Sequence, residues 1–233
     1  MLFGSIINVI CIIIGTLIGL LLTKIGDKYK ETIMQGIALT VTLIGLQMAL
    51  ETNAVIIVLV SIVFGALLGE LLKLEAILNW FGEWVTSKFK NKDNSFNIGQ
   101  GFVTASLIFG VGAMAILGSL DSGLRGDHEL LMTKAVLDGF TALVLTSTLG
   151  IGVIFSAIPV FLFQGAVTVS ASQIEAIIPS ELLHQQINEI TAVGGLIIVA
   201  IGLNLLNITK IRVTNLLPAL PIVAIVMYIG YLF

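Results

Sequence analysis

Eight apolar runs, each about as long as a bilayer-crossing helix, occupy most of this chain, at 2–22, 32–50, 54–72, 98–119, 131–150, 153–172, 190–208 and 217–233. A helix rises about 1.5 Å per residue, so about 20 apolar residues cross a hydrocarbon core of roughly 30 Å. Lipid offers backbone amides no partner, so a spanning segment must satisfy its own groups as a helix or within a closed barrel. These runs are continuous rather than alternating, which excludes the barrel. The expectation is an all-α fold: a polytopic bundle of about eight transmembrane helices, forming one transmembrane domain over 1–233.

The chain has 233 residues, 57% hydrophobic and 11% charged, where a soluble domain carries about 25% charged residues. Its mean hydropathy of +1.10 leaves too few polar side chains to coat a soluble body. The single cysteine, Cys11, cannot close an intrachain disulfide, and one thiol with two histidines is a poor basis for a metal site. No cofactor is expected. The start Met1-Leu2-Phe3-Gly4 has no basic n-region, so the first run reads as a permanent helix rather than a cleaved signal.

Orientation follows from the basic residues. With eight crossings, Lys24, Lys28, Lys30, Lys73, Lys88, Lys90, Lys92, Lys210 and Arg212 all fall on one side, which the positive-inside rule makes cytoplasmic. Seven crossings would put Lys210 and Arg212 outside. The expected location is the bacterial cytoplasmic (inner) membrane, with both termini outside. Within the cytoplasmic loop 73–92, Leu74, Ile77, Leu78, Phe81, Val85 and Phe89 recur at helical spacing beside Trp80 and Trp84. That pattern predicts an interfacial amphipathic helix over 73–90. The outer segment 173–190 carries Glu175, Glu181 and Glu189 with no Lys or Arg, and Pro179 divides it into two short helices.

The segment 118–139 breaks the apolar pattern. Gly118, Gly123 and Gly126 permit unusual backbone conformations, Asp121 and Asp127 flank Arg125, and Asp127 suits a helix N-cap. Lys134 and Asp138 follow at i and i+4, on one helix face. If the helix starts near His128, Asp138 lies about 15 Å along it, near the bilayer midplane. An ionised group there is expensive and normally marks a pathway or relay with a named partner, here Lys134. The same pair can instead serve only to orient helices. Farther on, Pro159 is expected to kink a helix that presents Gln164. Residues 131–172 read as a tight hairpin turning near Gly150-Ile151-Gly152, with a broken helix plus a re-entrant segment as the alternative. Gly15-x-x-x-Gly19 and Gly65-x-x-x-Gly69 are candidate helix-packing faces. The likeness of Ile44-Gly45-Leu46-Gln47 to Ile201-Gly202-Leu203-Asn204 suggests an inverted repeat.

The run Gly118-Ser119-Leu120-Asp121-Ser122-Gly123-Leu124-Arg125-Gly126-Asp127 resembles one bacterial membrane-protein family, that of the YdfK/YqgA proteins, a domain of unknown function. Lys134, Leu137-Asp138-Gly139, Leu149-Gly150-Ile151-Gly152, Phe155-Ser156-Ala157-Ile158-Pro159, Gln164-Gly165 and the opening Gly4-Ser5-x-x-Asn8 carry the likeness across the chain. The resemblance implies a bacterial cytoplasmic-membrane location and supplies no substrate.

The leading expectation is a small transporter or channel for an ion or small solute. Asp138 would be the protonatable or cation-binding group, with Lys134 neutralising it and Asp121, Arg125 and Asp127 forming an outer mouth. Gln164 would line the pathway, and Gly118, Gly123, Gly126 and Pro159 would lend backbone flexibility. The partners expected are membrane lipid, the solute and further copies in a homo-oligomer. The alternative is a non-transporting membrane protein: an assembly partner, lipid-binding module or sensor. An enzyme is not expected: His-Glu-x-x-His and Gly-x-Ser-x-Gly are absent, and Asp127 and Asp138 would lie roughly 16 Å apart on one helix. Nucleic acid is not an expected partner, because no basic-aromatic patch is present.

Overall fold

The computed structural model describes residues 2–22, 27–77, 80 and 98–232, which form helices and no strand. The elements are α1 (Phe3–Leu22), α2 (Asp27–Ala49), α3 (Val55–Leu72), α4 (Ile98–Gly110), α5 (Ala113–Leu124) and α6 (Glu129–Leu149), followed by a 3₁₀ segment (Gly150–Ser156). Then come α7 (Ala157–Val169), α8 (Ala171–Ile177), α9 (Ser180–Leu205), a 3₁₀ turn (Val213–Leu216) and α10 (Ala219–Leu232). The chain divides into two compact units, one of residues 1–33 and 82–177, the other of 34–81 and 178–233.

Which side chains face outward identifies the solvent. On α1, Ile6, Ile10, Ile14, Leu17 and Leu21 are exposed while Gly4, Ser5, Asn8, Gly15, Thr16 and Gly19 are buried. α3 likewise exposes Ile56, Leu59, Val63, Phe64 and Leu67 and buries Ser61, Gly65 and Gly69. Large apolar groups outside and small or polar groups inside is the arrangement of helices bathed in lipid, where close backbone packing drives association. Six helical stretches are long and apolar enough to cross a bilayer, or seven if the bent pair α4–α5 is one span. The longest of them, 129–169, folds into the expected hairpin: Leu131 near its start packs on Gly4, and Gly165 near its end lies beside Leu2.

In the first unit α1 and α6 run parallel, with Gly4 against Leu131, Gly15 against Gly139 and Gly19 against Leu143. α7 returns antiparallel to α1. The sequence predicts one unbroken helix over 98–119, but the structure breaks it at Val111-Gly112, bends the halves by 57° and carries the second on to Leu124. Gly112 has φ 142°, a conformation that a side chain would oppose. Gly118 and Gly123 therefore lie within α5, not in a flexible loop. They are small because Leu131 packs on one, and the backbone of Thr168 on the other. Of the three glycines assigned to this turn, Gly126 alone takes a positive φ, 69°. Pro159 does not kink α7. It occupies the first turn, where a missing N–H leaves no intrahelical bond unmade, and the irregular backbone lies upstream in the 3₁₀ segment.

In the second unit α2 and α9 pack antiparallel, Gly45 against Gly195 and Val199, and Gly202 against Ala38 and Thr42. The two four-residue motifs read as a repeat thus share one seam, although Gln47 is exposed while Asn204 holds the turn after α9 by bonding both backbone groups of Ile211. α3 packs antiparallel to the start of α10, Gly65 against Ala219 and Gly69 against Asn215. Both small-residue motifs found in the sequence are thus contact faces. Within 173–190, α8 ends at Ile177 and the helix after Pro179 runs unbroken to Leu205. Residues 74–77 are helical and Trp80 is exposed. The rest of the amphipathic stretch 73–90, with Lys24, Lys88, Lys90 and Lys92, lies outside the described residues.

Candidate functional site

The site arises from how closely α1 approaches α6. A β-carbon on Gly15 would run into the carbonyl of Gly139, and Gly139 in turn sits against Cys11. Small residues at 4, 11, 15 and 19 let the two backbones meet, which places the intervening polar residue, Asn8, directly against α6. The Phe3 and His128 rings, with centroids 5.6 Å apart, bring the starts of the two helices together.

At that contact Asp138 accepts two hydrogen bonds and forms an ion pair. Lys134 Nζ lies 2.9 Å from Oδ1 and 2.8 Å from Oδ2, and Asn8 Nδ2 donates to Oδ2 at 3.0 Å. Lys134 is 7% exposed and Asp138 5%. Asp138 lies nine residues into α6, about 14 Å along its axis. An isolated charge buried this way is unstable. Here each charge has its counter-ion one helical turn away, and Asn8 takes up a further lone pair of the carboxylate.

The same unit holds a second set of buried polar groups that have no hydrogen-bond partner among the described residues. On α1 these are Ser5 Oγ, Asn8 Oδ1 and Thr16 Oγ1; on α6, Thr146 Oγ1; on α7, Thr168 Oγ1 and both amide atoms of Gln164. Gln164 and Thr168 are fully buried, on the same face of α7 as Ala157 and Val160.

The other residues singled out in the sequence sit apart from this core. Arg125, 75% exposed by its side chain, lies 3.4 Å from Asp121 Oδ1 one turn earlier, at the C-terminal end of α5. Asp127 is exposed and accepts the Glu129 N–H at 3.0 Å, but it precedes the N-cap of α6, which is His128. Between them Ser122 Oγ and His128 Nδ1 are hydrogen-bonded at 2.9 Å. Asp121, Arg125 and Asp127 thus mark the turn at the head of α6, while Lys134 and Asp138 lie inside the unit. No three His, Cys, Asp or Glu side chains among the described residues are grouped to hold a metal ion.

Asn8 and Ser5 were not assigned to the site from sequence. Nothing near them in the chain names Asp138 as a partner 130 residues away. The signal was the spacing of small and polar residues at 4, 5, 8, 11, 15, 16 and 19, which marks one face of α1 as closely packed.

The uncharacterized membrane protein YdfK of Bacillus subtilis (strain 168) is 36% identical over 236 residues, covering 99% of this chain and 98% of its own. The uncharacterized protein YqgA of Escherichia coli (strain K12) is 27% identical over 224 residues, covering 94% of each. No solved structure matches the chain. Residues 3–228 match the family described as "Protein of unknown function (DUF554)", and the chain belongs to that family.

Proposed function

We propose that this membrane protein is a small transporter or channel, and that an ion or small solute passes through its first unit beside Asp138. The observation that carries the reading is a buried Lys134–Asp138 pair, braced by Asn8, in the middle of a lipid-bathed helical unit. Ionisable groups inside membrane helices are costly and are kept where they serve a pathway or relay. Buried oxygens and amides without partners continue along the inner face of α1 from Ser5 to Thr16, about 16 Å of helix. The broken helix α4–α5 and the 3₁₀ segment supply irregular backbone in the same unit, a recurrent feature of transporter folds.

In this reading Asp121, Arg125 and Asp127 form the outer mouth and Gln164 lines the route. The protein sits in the bacterial cytoplasmic membrane with both termini outside, on the distribution of its lysines. It works as a homo-oligomer, because so few helices enclose little space. The test is flux into proteoliposomes: Asp138→Asn is expected to reduce protein-dependent flux at least about tenfold. Unchanged flux removes Asp138 from the mechanism.

A further inference from the structure

The buried polar groups that share the first unit with Asp138 narrow what the site can take. Fully paired, Lys134 and Asp138 sum to zero charge, and they are the only ionisable side chains among the described buried residues of this unit. An ion entering here would shed water and meet no net counter-charge, a large penalty in a low-dielectric interior. The groups left without partners are neutral and of both kinds. Gln164 offers a donor and an acceptor, Ser5 and Thr168 offer hydroxyls, and Asn8 offers a carbonyl whose amide nitrogen is already committed to Asp138.

The packing register brings Gln164 to the start of α1. Gly165 lies beside Leu2, so Gln164 sits opposite the first turns of α1, where Ser5 and Asn8 are. Thr168, one turn on and farther from Asn8, has its backbone against Gly123 of α5. Gln164 is fully buried with both amide atoms unpartnered among the described residues. Burying such an amide without a partner is unfavourable, which makes it a recognition group rather than packing. We infer that the site binds a small uncharged solute carrying both a hydrogen-bond donor and an acceptor, an amide or a polyol of few heavy atoms, read by Gln164 with Ser5 and the free carbonyl of Asn8. The Lys134–Asp138 pair then acts as a fixed dipole beside the solute, not as an ion's counter-charge.

This inference rests on the transport reading, and one experiment separates their failures. Full-length protein in vesicles is assayed for urea and glycerol entry by light scattering, and for potassium, sodium and chloride flux with entrapped indicators. The expected result is entry of urea, glycerol or both about tenfold faster than in protein-free vesicles, with no gain for any ion. Urea alone identifies an amide solute, glycerol alone a polyol. Gln164→Leu is expected to remove about tenfold of that rate, the effect of losing one buried hydrogen bond to the solute. Accelerated ion flux that Asp138→Asn abolishes overturns the inference and leaves the transport reading standing. Flux that Asp138→Asn leaves intact overturns the placing of the route beside Asp138, and no protein-dependent flux of any probe overturns the transport reading and this inference with it. Neutral flux insensitive to Gln164→Leu overturns the inference alone. If Gln164→Leu does not fold, the wild type's choice between neutral and ionic probes decides.

Discussion

The two units use buried polar side chains differently. In the first, Asn8, Lys134, Asp138 and Gln164 lie in helix interiors, where the backbone is already satisfied and needs nothing from them. In the second, Ser61, Gln186 and Thr191 are also buried mid-helix, but they are uncharged, and the groups that bond across to other segments largely serve backbone at helix ends. Glu189 accepts from Thr52 Oγ1 and the Asn53 N–H in the turn before α3, and Asn215 Oδ1 accepts the Glu75 N–H after it. Asn204 holds the loop before α10. Helix ends have orphan amides and carbonyls, so polar side chains there have a structural task. A mid-helix ion pair has no such task, and among the described residues the buried one lies in the first unit.

Removing a charge from the first unit breaks this contrast hardest if the contrast is right. Lys134→Met leaves the Asp138 carboxylate buried with Asn8 as its remaining partner, a change that costs about 3–5 kcal/mol for a buried ion pair. Thermal unfolding in detergent is expected to show a large drop. The double variant Lys134→Met with Asp138→Leu is expected to regain most of that stability while flux stays lost. Recovery of flux along with stability would make the pair purely structural.

Much of this was legible in the sequence, and the limits have physical causes. Long apolar runs declare helices because lipid leaves the backbone no alternative. Lys134 and Asp138 declare each other because i and i+4 share a helix face. The break at Val111-Gly112 was hidden because Phe109-Gly110-Val111-Gly112 is as apolar as its surroundings, so hydropathy runs through it unchanged. Pro159 misled for a positional reason: proline breaks a helix interior but suits a first turn, and only the start of α7 at Ala157 tells which applies. Glu189 read as one acid in an outer loop. Its burial at 2% exposure comes from α9 extending back to Ser180, which carries the side chain to the α2–α3 turn.

Glu189 supplies the next test. Glu189→Ala removes two hydrogen bonds from a buried carboxylate and leaves the Asn53 N–H unpaired, a loss of about 1–3 kcal/mol. Because the damage lies at a helix end, hydrogen exchange is expected to quicken in residues 50–58 and not in α6. Flux is expected to stay within about twofold of wild type. Loss of flux with Glu189 would move the functional assignment beyond the first unit.

Arg212 and Glu70 give the smallest effect and the sharpest control. Their ion pair, at 2.9 Å, also joins two helix ends of the second unit, but its side chains are 65% and 47% exposed. Water and salt screen such a pair, and the side-chain entropy lost in holding it offsets most of the attraction, leaving about 0–1 kcal/mol. Arg212→Ala is therefore expected to shift the unfolding midpoint barely, and the shift is expected to vanish at high salt. The pair matches Lys134–Asp138 in charge and distance and differs in burial and in position along the helix. If Arg212→Ala destabilised the protein as much as Lys134→Met, depth and mid-helix position would not be what sets the buried pair apart, and the case for a pathway beside Asp138 would lose its physical basis.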